Sequence, residues 1–127
     1  LVLVDDEQEL TDILQETFEA RNYRVKTFSR GDEALAYILN NDCQVAIVDM
    51  KIPKLSGEQL IKQALEEKPK LRVIPISAAY PKEMAELLNG IGFDGSLLVT
   101  KPFDLTRLVE QVKVCAAEAG TLDIHKK

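Results

Sequence analysis

The sequence has no tryptophan, one histidine (His125, close to the C-terminal end) and two cysteines, Cys43 and Cys115, in 127 residues. One histidine cannot form a histidine metal cluster and leaves no imidazole base in the body of the chain. Two cysteines are too few for a disulfide framework and suit a reducing, cytoplasmic setting. Apolar runs never exceed a few residues, so the residues predict neither a transmembrane helix nor a signal peptide. Positive charge is in deficit as well: 16 Lys and Arg against 21 Asp and Glu leave a net charge of −5 and a pI near 4.9. A net anion gains nothing from a phosphate backbone or an anionic bilayer. Nucleic acid and membrane are therefore not expected as direct partners.

The apolar share, 46%, is ample for the core of a single domain of this size. Residues 1–119 read as that domain, and 120–127, where the periodicity fades after Ala119-Gly120, as a tail or the start of a linker. The chain opens on Leu1-Val2-Leu3-Val4 with no methionine before it, which suggests either that a few leading residues are missing or that the piece was cut from a longer protein.

Short apolar runs alternate with amphipathic stripes. The runs are Leu1–Val4, Arg24–Phe28, Val45–Val48, Val73–Ile76 and Leu97–Val99. Between them, apolar residues recur at three- and four-residue spacing: Leu10, Ile13, Leu14 and Phe18; Leu35, Ile38 and Leu39; Leu60, Ile61, Ala64 and Leu65; Met84, Leu87, Leu88 and Ile91; Leu105, Leu108, Val109 and Val112. Five strand–helix units of this kind predict an α/β fold, a (βα)5 doubly wound parallel sheet covered on both faces. Pro75 lies inside the fourth run and cannot donate a ladder bond, so either a local irregularity is expected before Ile76 or the paired part of that strand is expected to be short.

In an open parallel sheet, sites form at the carboxyl ends of the strands. Asp5-Asp6-Glu7 follow the first run, Asp49 ends the third, Ser77-Ala78-Ala79 follow the fourth and Thr100-Lys101-Pro102 follow the fifth. Asp5, Asp6 and Asp49 brought together would repel one another unless a cation intervened. An all-oxygen set of this kind suits Mg2+, and a carboxylate beside it can attack phosphorus. Lys101 and Ser77 would supply donors to phosphoryl oxygens. Blander readings stand beside these: Asp6 with Glu9 has capping-box spacing, Asp49 and Ser77 are ordinary strand-end residues in isolation, and Cys115 falls on a helical core stripe.

Asp5-Asp6, Asp49-Met50-Lys51-Ile52-Pro53, Gly57, Ser77-Ala78 and Lys101-Pro102-Phe103, in that order, resemble the receiver domain of two-component response regulators across residues 1 to 117. The resemblance implies a flavodoxin-like sheet of order 2-1-3-4-5 with a cis Lys101-Pro102 bond. It implies that Asp49 accepts a phosphoryl group from a histidine kinase or histidine phosphotransfer protein. Asp6 and Asp49 would bind Mg2+, with Asp5 acting largely through water and the Lys51 backbone carbonyl completing the set. Lys101 would hold the phosphoryl group and Ser77 would move toward it, shifting the face formed by the fourth helix, fifth strand and fifth helix. Catalysis would be limited to autophosphorylation and self-dephosphorylation, so no turnover enzyme is expected. Downstream, an output domain or a homodimer would read the signal.

The sequence departs from the family pattern at Leu98, where an aromatic commonly stands three residues before the lysine, and at Ile52, where Met is common. Lys51 and Ala79 border the pocket, Lys51 as an attraction for anionic phosphodonors and Ala79 as room for water. Three rival functions compete. An Asp-dependent phosphatase needs a second carboxylate two residues after the nucleophile, where Lys51 stands. A flavin binder needs a phosphate loop, which Asp5-Asp6-Glu7 would repel, and no GxxxxGK[ST] loop exists for nucleotides. A protein-binding pseudo-receiver that is never phosphorylated is kept open by Leu98.

Overall fold

The computed structural model describes the backbone of residues 1–125 and side chains as far as residue 118. Its elements are β1 (Val2–Val4), α1 (Gln8–Glu19), β2 (Lys26–Phe28), α2 (Gly31–Asn40), β3 (Val45–Asp49), α3 (Gly57–Glu67), β4 (Arg72–Ser77), α4 (Pro81–Gly90), a 3-10 turn at Gly95–Leu97, β5 (Val99–Thr100) and α5 (Leu105–His125). The five strands form one sheet in the order β2-β1-β3-β4-β5, and all four pairings are parallel. This is the expected flavodoxin-like (βα)5 fold, and it sets the ends of β1, β3, β4 and β5 side by side.

Both faces of the sheet are buried, as the continuous apolar strands required. Alternate residues part to opposite sides. Val2, Val4, Ala46 and Val48 pack with Ala34 and Ile38 of α2, Leu60, Ile61 and Ala64 of α3 and Leu88 of α4. Leu3, Val45, Ile47, Ile74 and Ile76 pack with Leu14 and Phe18 of α1 and Leu108 and Val112 of α5. Cys43 and Cys115 are partly buried against these two layers, and burial pushes both thiols above the usual cysteine value, consistent with packing roles.

Pro75 does not break β4, which runs unbroken from Arg72 to Ser77 with Pro75 opposite Val48. The Arg72 N–H donates to the Gln44 carbonyl (3.0 Å) and the Met50 N–H to the Ile76 carbonyl (2.9 Å), so even-numbered residues of β4 turn their peptide groups to β3. Pro75 therefore faces the β5 side. Pairing there begins only at Ile76 with Val99, so no ladder bond is lost.

Three boundaries differ from expectation by more than one residue. β2 is shorter than the Arg24–Phe28 run and begins at Lys26, at the sheet edge. The fifth strand was expected at Leu97–Val99 but occupies Val99–Thr100, because Gly95–Leu97 form a 3-10 turn. Asp94 starts that turn by accepting the Ser96 N–H at 3.0 Å, and Gly95 presses on α4, where an added Cβ would lie 2.2 Å from the Ala85 carbonyl oxygen. Leu97 is left half-exposed. Finally, α5 continues through His125 rather than ending near Ala119, so the expected tail is helical that far. No proline follows Ala119, and one glycine inside a helix costs only about 1 kcal/mol. Lys126, Lys127 and the His125 side chain lie outside the described residues. Among the described residues, no helix is long and apolar enough to cross a membrane.

Candidate phosphoacceptor site

Asp5 directly follows β1 and Asp49 ends β3, where both are buried: 4% and 5% exposed, respectively. Asp5 turns Oδ1 back to accept the Glu7 N–H (2.9 Å), and Asp49 turns Oδ1 to accept the Lys51 N–H (2.9 Å). Each carboxylate therefore fixes its own loop and keeps Oδ2 for the pocket. Gly57 makes the turn after β3 possible. Its N–H donates to the Met50 carbonyl at 3.0 Å, and a Cβ here would lie 2.4 Å from the Asp49 carbonyl oxygen.

Lys101 enters from beyond β5. Its N–H donates to the Ser77 carbonyl (2.8 Å), and the Lys101-Pro102 peptide is cis, as expected. The ammonium donates to Asp5 Oδ2 (2.7 Å), Glu7 Oε1 (2.7 Å) and Asp49 Oδ2 (2.9 Å). Those three bonds use all three N–H donors of a lysine. Burial opposes the Lys101 charge, but the three carboxylates outweigh it and hold its pKa above the usual lysine value. Burial raises the Asp5 pKa, against the lowering effect of its hydrogen bond from Lys101.

The structure thus brings Asp5, Asp6, Asp49 and Lys101 together. One carboxylate oxygen from each aspartate lies within 4.8 Å of the others, with Asp6 on the exposed side. Asp6 does not cap α1, whose N-cap is Glu7 without a side-chain bond, so the capping-box alternative is not realised. The donor set is entirely oxygen, and it carries more negative charge than Lys101 neutralises. Both properties fit a hard divalent cation such as Mg2+. The Lys51 carbonyl belongs to the same residue whose N–H Asp49 holds.

Ser77 stands apart from this cluster. It is 2% exposed, and its hydroxyl donates to the Ala79 carbonyl at 2.7 Å rather than to a pocket carboxylate. Leu98 is partly buried, against the α4 side of the core. Two residues escaped the sequence reading. Glu7 supplies a third carboxylate to Lys101, and its only sequence signal is its place directly after Asp5-Asp6. Tyr80, whose ring lies under the Lys51 ammonium at 4.5 Å from its centroid, carries no periodic or motif signal.

A family profile for the response regulator receiver domain matches residues 1–113. The response regulator SaeR of Staphylococcus aureus is 31% identical over 112 residues, which cover 88% of this chain and 48% of SaeR. The chain thus spans about half the length of the curated relatives it matches. Among solved structures, a CheY-like receiver domain protein from Methanospirillum hungatei superposes with a TM-score of 0.85 at 25% identity, covering 94% of each chain. The response regulator TrrA from Thermotoga maritima, solved as a complex with Mg2+ and BeF, superposes with a TM-score of 0.76 at 24% identity, covering 90% of this chain and 96% of that one. Given the profile match, these relatives and the sheet order, the chain belongs to the response regulator receiver domain family of two-component signalling.

Proposed function

We propose that this receiver domain is switched by phosphorylation of Asp49. The observation that carries the reading is the Asp49 carboxylate itself, buried at the end of β3, bonded through Oδ2 to Lys101 and clustered with Asp5 and Asp6. The Lys51 N–H orients Asp49 by holding Oδ1, and Oδ2 becomes free to attack when Lys101 turns its ammonium toward the incoming phosphoryl oxygens. The O–P bond to Asp49 forms as the P–N bond of a phosphohistidine breaks, and the imidazole nitrogen keeps the electron pair. Asp5, Asp6 and Asp49, with the Lys51 carbonyl, would hold Mg2+, which supplies positive charge against the phosphoryl oxygens. Lys101 then supplies the protein's own charge to the phosphoryl group.

Ser77 acts as the switch hydroxyl by leaving the Ala79 carbonyl for the phosphoryl group, which favours one of two pre-existing arrangements of the loop before α4. The consequence is read on the face of α4, β5 and α5. That face carries half-exposed Leu87, Leu97 and Val114, and beside it an open groove of about 1260 Å³ runs between β4, β5 and α5. A histidine kinase or phosphotransfer protein is the donor, and an output domain or a second copy of the chain is the reader. The domain serves in the cytoplasm and turns over no substrate beyond its own phosphorylation and dephosphorylation.

Intact mass after incubation with acetyl phosphate and Mg2+ tests this. One phosphoryl increment is expected, absent in Asp49→Asn and after EDTA. No increment from acetyl phosphate or from a phosphorylated kinase overturns the reading and leaves a protein-binding module.

A further inference from the structure

We infer that Tyr80 is a positioning residue that holds the Lys51 ammonium at the rim of the acidic pocket and keeps it out of the cation site formed by Asp5, Asp6 and Asp49. The inference rests on the reading that this pocket takes a divalent cation. Lys51 cannot drift away from the pocket, because its backbone N–H is bonded to Asp49 Oδ1 at 2.9 Å. From that anchor, a flexible four-carbon stem carries a second positive charge beside a cluster whose carboxylates outnumber the one lysine already there. Left unrestrained, the ammonium would pair with those carboxylates and compete with any metal ion. It lies instead over the Tyr80 ring, 4.5 Å from the centroid, within the range of a cation–π contact.

The backbone around Tyr80 is independently unusual. Tyr80 adopts φ 52° and ψ 53°, a left-handed conformation that costs an aromatic residue energy. It precedes Pro81, which ordinarily drives its predecessor into extended backbone. The start of α4 gains no side-chain cap in exchange, and Tyr80 is 60% exposed, so it contributes little to the core. Strain of this kind, at the edge of a site and with no side-chain cap in return, is the pattern that accompanies a functional constraint. What it places is a ring beneath the side chain of Lys51, the lysine whose backbone N–H is bonded to Asp49.

The test is the Mg2+ dissociation constant measured by calorimetry in the whole domain, with thermal unfolding as a check on folding. Tyr80→Leu should weaken Mg2+ binding about two- to five-fold, the range an exposed cation–π contact supplies. Tyr80→Phe should match wild type. Tyr80→Gly, which suits the left-handed backbone, should also weaken Mg2+ binding although it relieves strain, separating the ring from the conformation. Adding Tyr80→Leu to Lys51→Met should change nothing further. The Lys51 ε-methylene protons should be shifted upfield by the ring in wild type and Tyr80→Phe but not in Tyr80→Leu. An unchanged Mg2+ constant in Tyr80→Leu, or a loss that persists in the Lys51→Met background, overturns the inference while leaving the pocket's cation role intact. Wild type that binds no Mg2+ overturns the parent reading instead.

Discussion

Glu7 Oε1 lies 2.7 Å from the Lys101 ammonium, a contact between residues 94 positions apart that ties the start of α1 to the end of β5. The same ammonium meets Asp5 and Asp49, but the three pairs differ in solvent exposure. The Glu7 side chain is 58% exposed, against 3% for Asp5 and 8% for Asp49. An exposed ion pair gains little over hydration, so Glu7→Gln should alter unfolding free energy by no more than about 0.5 kcal/mol. Lys101→Met is the opposite case, since it leaves two buried carboxylates without their cation. A loss of about 3 kcal/mol is expected in metal-free buffer. Mg2+ should recover more stability in Lys101→Met than it adds to wild type, because the variant's carboxylates lack any other counter-charge. Urea unfolding of both variants, with and without Mg2+, checks the contrast; equal losses would place the three pairs on one footing.

The raised pKa of Lys101 sets the alkaline behaviour. A lysine that holds its proton more tightly when folded contributes stability in full below its ordinary value of 10.5 and loses it as pH rises above that value. Asp5 has the reverse consequence. Its folded pKa is raised above 3.8, chiefly by burial, so the folded state binds its proton more tightly and this group lowers stability as pH climbs out of the acid range. Metal-free unfolding curves should therefore show Asp5→Asn gaining stability relative to wild type at neutral pH and losing that advantage toward pH 4. Wild type should lose stability above pH 10.5, a loss that Lys101→Met lacks. A difference between Asp5→Asn and wild type that does not vary with pH would contradict the burial account.

Gly57 is needed for the space it leaves rather than for a left-handed backbone. In Gly57→Ala, the new Cβ would lie 2.4 Å from the Asp49 carbonyl oxygen and 2.6 Å from Met50 Cα. Both are backbone atoms and cannot rotate aside, so the turn after β3 must open. A destabilisation of about 2 kcal/mol follows, in the range of other overpacked sites. The same shift displaces the Asp49 carboxylate, so Mg2+ binding should weaken along with stability. Calorimetry on the folded variant separates the two effects.

How much of this was legible from sequence depended on whether a residue's role followed from its position on a strand. Asp5, Asp49, Ser77 and Lys101 each stand where an apolar run ends, and parallel pairing carries those ends to one edge of the sheet. Glu7 was hidden because an exposed acid at a helix start looks like any solvated residue, and its role depends on a lysine near the other end of the chain. Tyr80 was hidden because a residue before proline is expected to be extended, and the left-handed turn is set by tertiary context. β5 was misplaced because apolar Leu97 reads as strand, whereas packing of Gly95 on Ala85 winds that segment into a 3-10 turn. Pro75 looked disruptive only until its direction was known, since a ladder vacancy costs nothing where no partner strand yet runs.

Ser77 joins the fold to the proposed switch. Its hydroxyl is fully buried and donates to the Ala79 carbonyl at 2.7 Å, two residues along the loop that leads into α4. Ser77→Ala removes that donor and should cost about 1 kcal/mol, the net worth of one hydrogen bond. The lost hydroxyl bonds neither Asp49 nor Lys101, and the backbone carbonyl of residue 77 still accepts the Lys101 N–H, so acetyl phosphate should still modify the variant at Asp49. The loop should then fail to follow, because no hydroxyl remains to exchange the Ala79 carbonyl for a phosphoryl oxygen. Amide chemical shifts across α4, β5 and α5 would change on phosphorylation in wild type and stay close to their resting values in Ser77→Ala. Leu98 makes this comparison informative: it carries no aromatic ring that could turn inward, so transmission to that face must come from the loop itself. Shifts that move equally in both proteins would show that Asp49 reaches α4 without Ser77.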